Sequence, residues 1–424
     1  MRRTVAAKVA ILVLVMATSS ITFLFAQPTW VNIAHGTVPP LPAWWDGIMV
    51  QDGSSPDRVL LLGQRLQTPG NPPFGEIWSL DLNDFRWALA KPSEPIAERC
   101  EYGWGYDAVG KRLIVFSGYP GDYASFPQDT LVLHLDTLTW ETLAVSGGLP
   151  PGRGLPASGY DSARNRLIIF GGYDDAGVRI GDTWSLDLNT NTWMQLTPSV
   201  SPSGRYHAAF TVYRDSSGNE KLFLFGGKNG GNLGDMWSFD FSTGEWTEIN
   251  PSGDAIAGGP GGRALFDPLG QRILLIGLWI DVFQIDVNTW NVTHIDNDMR
   301  GVNFAEGTPG FWDATRRRAV IYENWSYYSD AGSYRLGQTW YFGEPDYVLP
   351  LKVVAVRYTQ EQDYPDQFVA LYEGGLGPYT VFYSDSKDFS NPVPDPNWQY
   401  DTRVVAYLDH GPASPIFYFR IQGE

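Results

Sequence analysis

The chain is expected to be all-β, built from four-stranded sheets repeated around an axis. Three observations predict this. A strand-length apolar run ending in glycine, such as Leu167–Phe170 before Gly171-Gly172, recurs along the chain. A tryptophan stands downstream of each run, and Trp87, Trp140, Trp193 and Trp246 are spaced 53 residues apart. Turn formers and aromatics are abundant, with 46 glycines, 30 prolines and 14% aromatic residues against only 18% charged ones, which favours short strands and tight turns over helices.

Each unit reads as four strands. The first ends in an aromatic residue and an aspartate: Tyr106-Asp107, Tyr160-Asp161, Phe266-Asp267 and Trp312-Asp313. Gln51-Asp52 is a weaker copy, and in the fourth unit Tyr213 replaces the aspartate. The second strand is the apolar run, from Arg58, Arg112, Arg166, Lys221, Arg272 and Arg317. Apolar residues on both faces of one strand mark a strand covered on both sides. The third strand centres on Trp78, Leu131, Trp184, Trp237, Phe283 and Trp340. The fourth carries Trp87, Trp140, Trp193, Trp246 or Trp290, expected as wedges between sheets. Such a sheet cannot bury both faces alone, so neighbours must stack radially.

A period near 50 with a glycine pair and a downstream tryptophan resembles the kelch repeat. The resemblance covers about residues 28–343 and implies a six-bladed β-propeller. The glycine pair is intact in units three and four and altered elsewhere, as in Ser117-Gly118 and Ile276-Gly277. The sixth unit lacks its own fourth strand. Thr29–Ile33 has the right pattern, so an amino-terminal strand is expected to complete blade six and close the ring, with Val348–Val356 as the rival.

The domain organisation expected is a signal peptide over 1–26, a propeller over 27–344 and a C-terminal β-sandwich over 345–424. Arg2 and Arg3 precede the apolar stretch Val9–Val15, which implies secretion or a periplasmic location. Ile21–Phe25 prolongs the apolarity, so an uncleaved membrane anchor is the alternative. The tail alternates β-like runs with turn formers, similar to immunoglobulin or fibronectin III-like modules.

A net charge of −17 argues against nucleic acid or an anionic membrane as partner, since both need a basic face. With Cys100 alone, no intrachain disulfide can form, and a buried apolar role is expected for it. No cofactor or metal is expected, and the chain is expected to be monomeric.

In kelch propellers, the loops after strand two and before strand one share the usual binding face. The resemblance places Tyr119, Tyr123, Tyr173, Trp325, Tyr327 and Tyr328 there, suited to a protein or glycan partner. Arg99 and Arg153 stand eight residues before Asp107 and Asp161, and Arg205 eight before Tyr213. They are expected to converge at the channel rim, with His207, where guanidinium forks suit a carboxylate ligand. The alternative is that each arginine is tied to local carbonyls or a neighbouring aspartate.

A non-catalytic binding role is therefore expected, with a channel-mouth enzyme as the alternative class. One such enzyme is similar to a six-bladed sialic acid mutarotase. The other is similar to copper radical oxidases of the galactose oxidase type, for which Cys100, Tyr206, His207 and His410 are the candidates. The five histidines lack ligand spacing. Asn291-Val292-Thr293 and Asn324-Trp325-Ser326 match the glycosylation pattern.

Overall fold

The computed structural model describes residues 12–13, 29–32, 47–52, 55–62, 76–92, 99–120, 125–278, 281–296, 307–323 and 338–343, and strands within 352–423. The chain divides into two units, His35–Thr339 and the combination of Met1–Ala34 with Trp340–Glu424. Among the described residues every regular element is a strand.

The larger unit is a β-propeller with five complete four-stranded blades. Blade one comprises Ile48–Gln51, Arg58–Leu62, Ile77–Asp81 and Trp87–Lys91. Blade two comprises Gly103–Asp107, Arg112–Phe116, Thr130–His134 and Thr139–Thr142. Blade three has Ala157–Asp161, Arg166–Phe170, Thr183–Asp187 and Thr192–Leu196. Blade four has Ala209–Arg214, Glu220–Phe225, Met236–Asp240 and Glu245–Ile249. Blade five has Arg263–Asp267, Arg272–Leu278, Asp281–Asp286 and Asn291–Asp296. Consecutive strands pair antiparallel throughout.

Six blades are expected from the repeat count, and here the structure differs. In the sixth position this unit holds the hairpin Gly310–Asp313 and Arg318–Glu323, because the third strand of that repeat, Gln338–Gly343, runs across the division between the units. The hairpin still closes the circle. First strands lie side by side from blade two through blade five, then against Gly310–Asp313, which lies against Ile48–Gln51 of blade one. Arg316 bonds Asp57 at 2.8 Å, and Trp87 packs on Tyr322 at 5.3 Å.

The second strands are buried on both faces, as their composition predicts: Leu167, Ile168, Ile169 and Phe170 are all fully buried. Gly172 ends one of them at φ +100°, and a Cβ there would stand 2.8 Å from the Gly154 carbonyl oxygen. Only glycine permits that turn and that approach.

The tryptophan wedge is real in blades three and four. Trp193 packs on Phe116 of blade two and donates its indole N–H to Thr130 at 3.2 Å. Trp246 repeats this one blade on, with Phe170 and Thr183 at 3.1 Å. Trp290 is not the fifth copy. Register pairs Trp193 with Leu186 and Trp246 with Phe239, and the matching partner of Ile285 is Val292. Trp290 lies in the preceding turn at φ +58° and packs on Tyr213 and Phe223. The wedge stands six residues after the end of strand three, and counting from Asp286 gives Val292.

The first-strand aspartates anchor the turns on the face opposite the glycine pairs. Asp107 accepts from Gly110 N at 2.8 Å and Arg112 Nε at 2.9 Å, and Asp267 does the same with Gly270 and Arg272. Asp161 and Asp313 follow suit.

In the smaller unit, Thr29–Asn32 pairs antiparallel with Gln338–Gly343, matching Trp30 to Phe342 and Asn32 to Trp340. Lys352–Thr359, Gln367–Glu373 and Val404–Tyr407 form one antiparallel sheet. Tyr379–Ser384 pairs with Tyr418–Gly423 and Val393–Pro394 in another, where Leu12–Val13 adds parallel to Tyr418–Phe419.

Candidate functional site

The glycine-pair ends of the second strands and the loops leading into each blade share one face of the propeller. The three arginines lie here, but turned inward. Arg153 is fully buried and grips Asp182 with two nitrogens, at 2.5 and 3.2 Å. Its remaining donors reach the carbonyls of Gly171 at 3.0 Å and Pro151 at 3.0 Å. Arg205, 2% exposed, repeats the pattern with Asp235 at 2.5 and 2.8 Å, Gly226 and Ser203. Arg99 pairs with Asp129 at 2.5 and 3.0 Å.

Each pair joins the loop leading into a blade to the loop between its second and third strands. The expectation that these guanidiniums converge on a ligand is therefore corrected. A planar fork inside a blade meets its own carboxylate and carbonyls, and these hold it there. Asp182 and Asp235 also accept the indole N–H of Trp184 and Trp237, both at 2.7 Å. Burial pushes the Asp235 carboxyl upward, but the bonds from Arg205 and Trp237 outweigh it and leave it below its ordinary value. A depressed folded-state value stabilises the fold above the unfolded value and loses that contribution as pH falls through the folded one. The melting temperature should hold steady above about pH 5 and fall below about pH 4, and Asp235→Asn should flatten part of that fall in an acid series of thermal scans.

At the axis, five residues occupy equivalent places with left-handed backbone: Glu101, Leu155, His207, Gly261 and Gly307, with φ from +52° to +77°. They are chained by backbone bonds across blades. Leu155 N donates to Glu101 O at 2.7 Å, His207 N to Leu155 O at 3.1 Å, Gly261 N to His207 O at 2.9 Å and Gly307 N to Gly261 O at 3.2 Å. This belt lines a bowl floored by Trp104 and Phe210, whose rings stand 6.2 Å apart. The enclosed space is about 40 Å³, enough for water. His207 belongs to this belt and is buried at 5% exposure. Cys100 is also buried. Among the described residues, no three His, Cys, Asp or Glu side chains gather as a metal centre. His410 lies outside the described residues.

Outward from the belt, aromatic rings form a row across three blades. Tyr119 meets Phe126 at 6.3 Å, Phe126 meets Tyr173 at 5.2 Å and Tyr173 meets Tyr206 at 5.2 Å. Arg179 stands over the Tyr206 ring at 5.8 Å. Tyr119, Tyr173 and Tyr206 are partly exposed, while Phe126 is buried beneath them. Backbone bridges fix three of them: Tyr119 to Cys100, Tyr173 to Gly154 and Tyr206 to Lys228. The Tyr173 hydroxyl donates to Glu101 at 2.7 Å, tying the row to the belt. The structure thus brings together Tyr119 and Tyr173 of the expected face and adds Tyr206 and Arg179. Tyr123, Trp325, Tyr327 and Tyr328 lie outside the described residues.

Residues 103–300 match a family model described as the KLHDC2/KLHL20/DRC7 Kelch-repeats domain. Human Kelch domain-containing protein 3 is 27% identical over 237 residues, covering 52% of this chain and 58% of that protein. Adagio protein 3 of Arabidopsis thaliana is 34% identical over 166 residues, covering 35% of this chain and 25% of that one. The chain thus spans under two thirds of the length of these relatives. A solved structure described as the structure of YjhT aligns over 68% of this chain and 92% of its own, at 14% identity and a TM-score of 0.47.

Proposed function

The chain carries a kelch-repeat β-propeller, a common protein-binding scaffold, and from that premise we propose that it binds a protein partner through its glycine-pair face. The observation that carries this is the row Tyr119, Phe126, Tyr173 and Tyr206 with Arg179 at its end. Rigid aromatic rings beside an arginine are the residue types that dominate binding energy at protein interfaces. A secreted or periplasmic location is part of the proposal, supported by the basic and apolar start of the chain.

The test is quantitative affinity capture from the native source with the wild type and with the Arg179→Glu, Tyr206→Ala double variant. Recovery of the specific partner should fall by about tenfold or more, with the melting temperature nearly unchanged. Equal recovery by both proteins would refute the role of the row.

A further inference from the structure

One asparagine in the chain is followed by glycine, at Asn229-Gly230. The pair lies on the glycine-pair face of blade four, in the loop between the second and third strands. Backbone bonds tie this loop to the aromatic row. Lys228 N donates to Tyr206 O at 2.9 Å, and Tyr206 N donates to Lys228 O at 3.2 Å. Lys228 also bridges Asn232, and Asn229 N donates to Gly231 O at 2.9 Å.

Blade three carries a different residue at this place. There Tyr173 bridges Gly154 and Arg179, as Lys228 bridges Tyr206 and Asn232 in blade four. The residue after Tyr173 is Asp174. Its carboxylate accepts from Ala176 N at 3.0 Å and Val178 N at 2.8 Å, and so pins its own turn. Asn229 takes the same position in blade four, but its side chain stays out of the turn. It is exposed, and among the described residues neither its side-chain amide nor the Gly230 N–H makes a hydrogen bond. Gly230 has φ +73°, and nothing stands within 4 Å of where its Cβ would be. A backbone nitrogen with no Cβ beside it and open solvent around it is free to approach the carbonyl carbon of the preceding side chain.

These are the requirements of an intramolecular acyl transfer. The Gly230 nitrogen attacks Asn229 Cγ, a new C–N bond forms, and the Cγ–Nδ2 bond breaks. Ammonia leaves with the proton given up by the Gly230 nitrogen. Solvent water then opens the cyclic imide. Opening at Cγ yields aspartate. Opening at the main-chain carbonyl yields isoaspartate, with the chain rerouted through Cγ and lengthened by one atom. Hydroxide speeds the first step, because the attacking nitrogen must lose its proton.

We propose that Asn229 is a self-modification site, converting to aspartate and isoaspartate on the glycine-pair face. The new carboxylate stands one residue from Lys228, and the isoaspartate form loosens the backbone anchor of Tyr206. Its consequence for a partner rests on the binding role of the row, whereas the modification itself does not.

The test holds the full chain at physiological temperature in mildly acidic and mildly alkaline buffer. Fragmentation mass spectrometry of digests separates asparagine, aspartate and isoaspartate. Asn229 should convert, and faster in the alkaline buffer. Asn189 and Asn291, which precede threonine and valine and whose side-chain amides donate to Arg164 O and Thr293 Oγ1, should remain amides. Gly230→Ala should stop the conversion, and Gly231→Ala, equally open, should not. Amide hydrogen exchange at Tyr206 and Lys228 should quicken in the isoaspartate fraction and stay unchanged at Tyr173. Asn229 remaining an amide while a free peptide of residues 228–232 converts would overturn the proposal. So would equal conversion in Gly230→Ala. Unchanged exchange at Tyr206 and Lys228 would overturn the loosening of the anchor. None of these readouts needs a partner, so they fail or succeed apart from the binding role.

Discussion

Replacing Arg153 with alanine is expected to destabilise the propeller by about 3–5 kcal/mol. The guanidinium is fully buried and has four bonds to lose: two to Asp182, one to Gly171 O and one to Pro151 O. Removing it strands a carboxylate with the Trp184 indole as its remaining side-chain donor and leaves carbonyls without donors. Each such group keeps its desolvation cost and loses the compensation. Lysine would not rescue it, because a single ammonium cannot span the two carboxylate oxygens and the carbonyl together. Thermal scans should show a fall of roughly 6–10 °C for Arg153→Ala. Arg179→Ala should stay within about 0.5 kcal/mol of wild type, since Arg179 is exposed. Equal, small effects at both positions would return Arg153 to the rim.

The second large effect is expected at Trp193. Trp193→Ala should cost about 3–5 kcal/mol by the same scans. The indole is 1% exposed and fills the joint between blades two and three, against Phe116 and the Thr130 hydroxyl. Its loss opens a cavity between two rigid sheets, which can collapse little. Trp193→Phe should cost less, since it keeps most of the ring contact and gives up the Thr130 bond. Trp290→Ala should cost less than Trp193→Ala, because Trp290 is partly exposed in a turn. A loss at Trp290 as large as at Trp193 would mean that the register given to Val292 is wrong.

Much of the fold is legible in the sequence because it is local and repeated. Apolar runs, glycine pairs and wedge tryptophans are each set by a neighbouring sheet of the same design, so one blade's requirements reappear in the next. Aspartate and arginine five residues apart, as in Asp107 and Arg112, also read directly, since one turn separates them. The arginine clamps read less well. Arg99, Arg153 and Arg205 find their partners 29 or 30 residues away, across a loop of variable composition. The signal was present all the same. Asp129, Asp182 and Asp235 each immediately precede a third strand, and their repetition matches that of the arginines. Trp290 misleads because residue type outweighs position in a pattern reading, whereas the strand register obeys position. The row joining Tyr206 to Tyr173 could not be read from either loop alone, since it depends on how adjacent blades stand to each other. The expected face also included Tyr123, Trp325, Tyr327 and Tyr328, which lie outside the described residues.

The decisive measurement is a double-mutant cycle on Arg205 and Asp235 by chemical denaturation, using Arg205→Met, Asp235→Leu and the pair together. If arginines on the glycine-pair face brace their own blades, the double variant should be far less damaged than the two single losses combined, with a coupling of about 1.5–3 kcal/mol. Additive losses, with coupling near zero, would show that Arg205 is held there for something other than its aspartate.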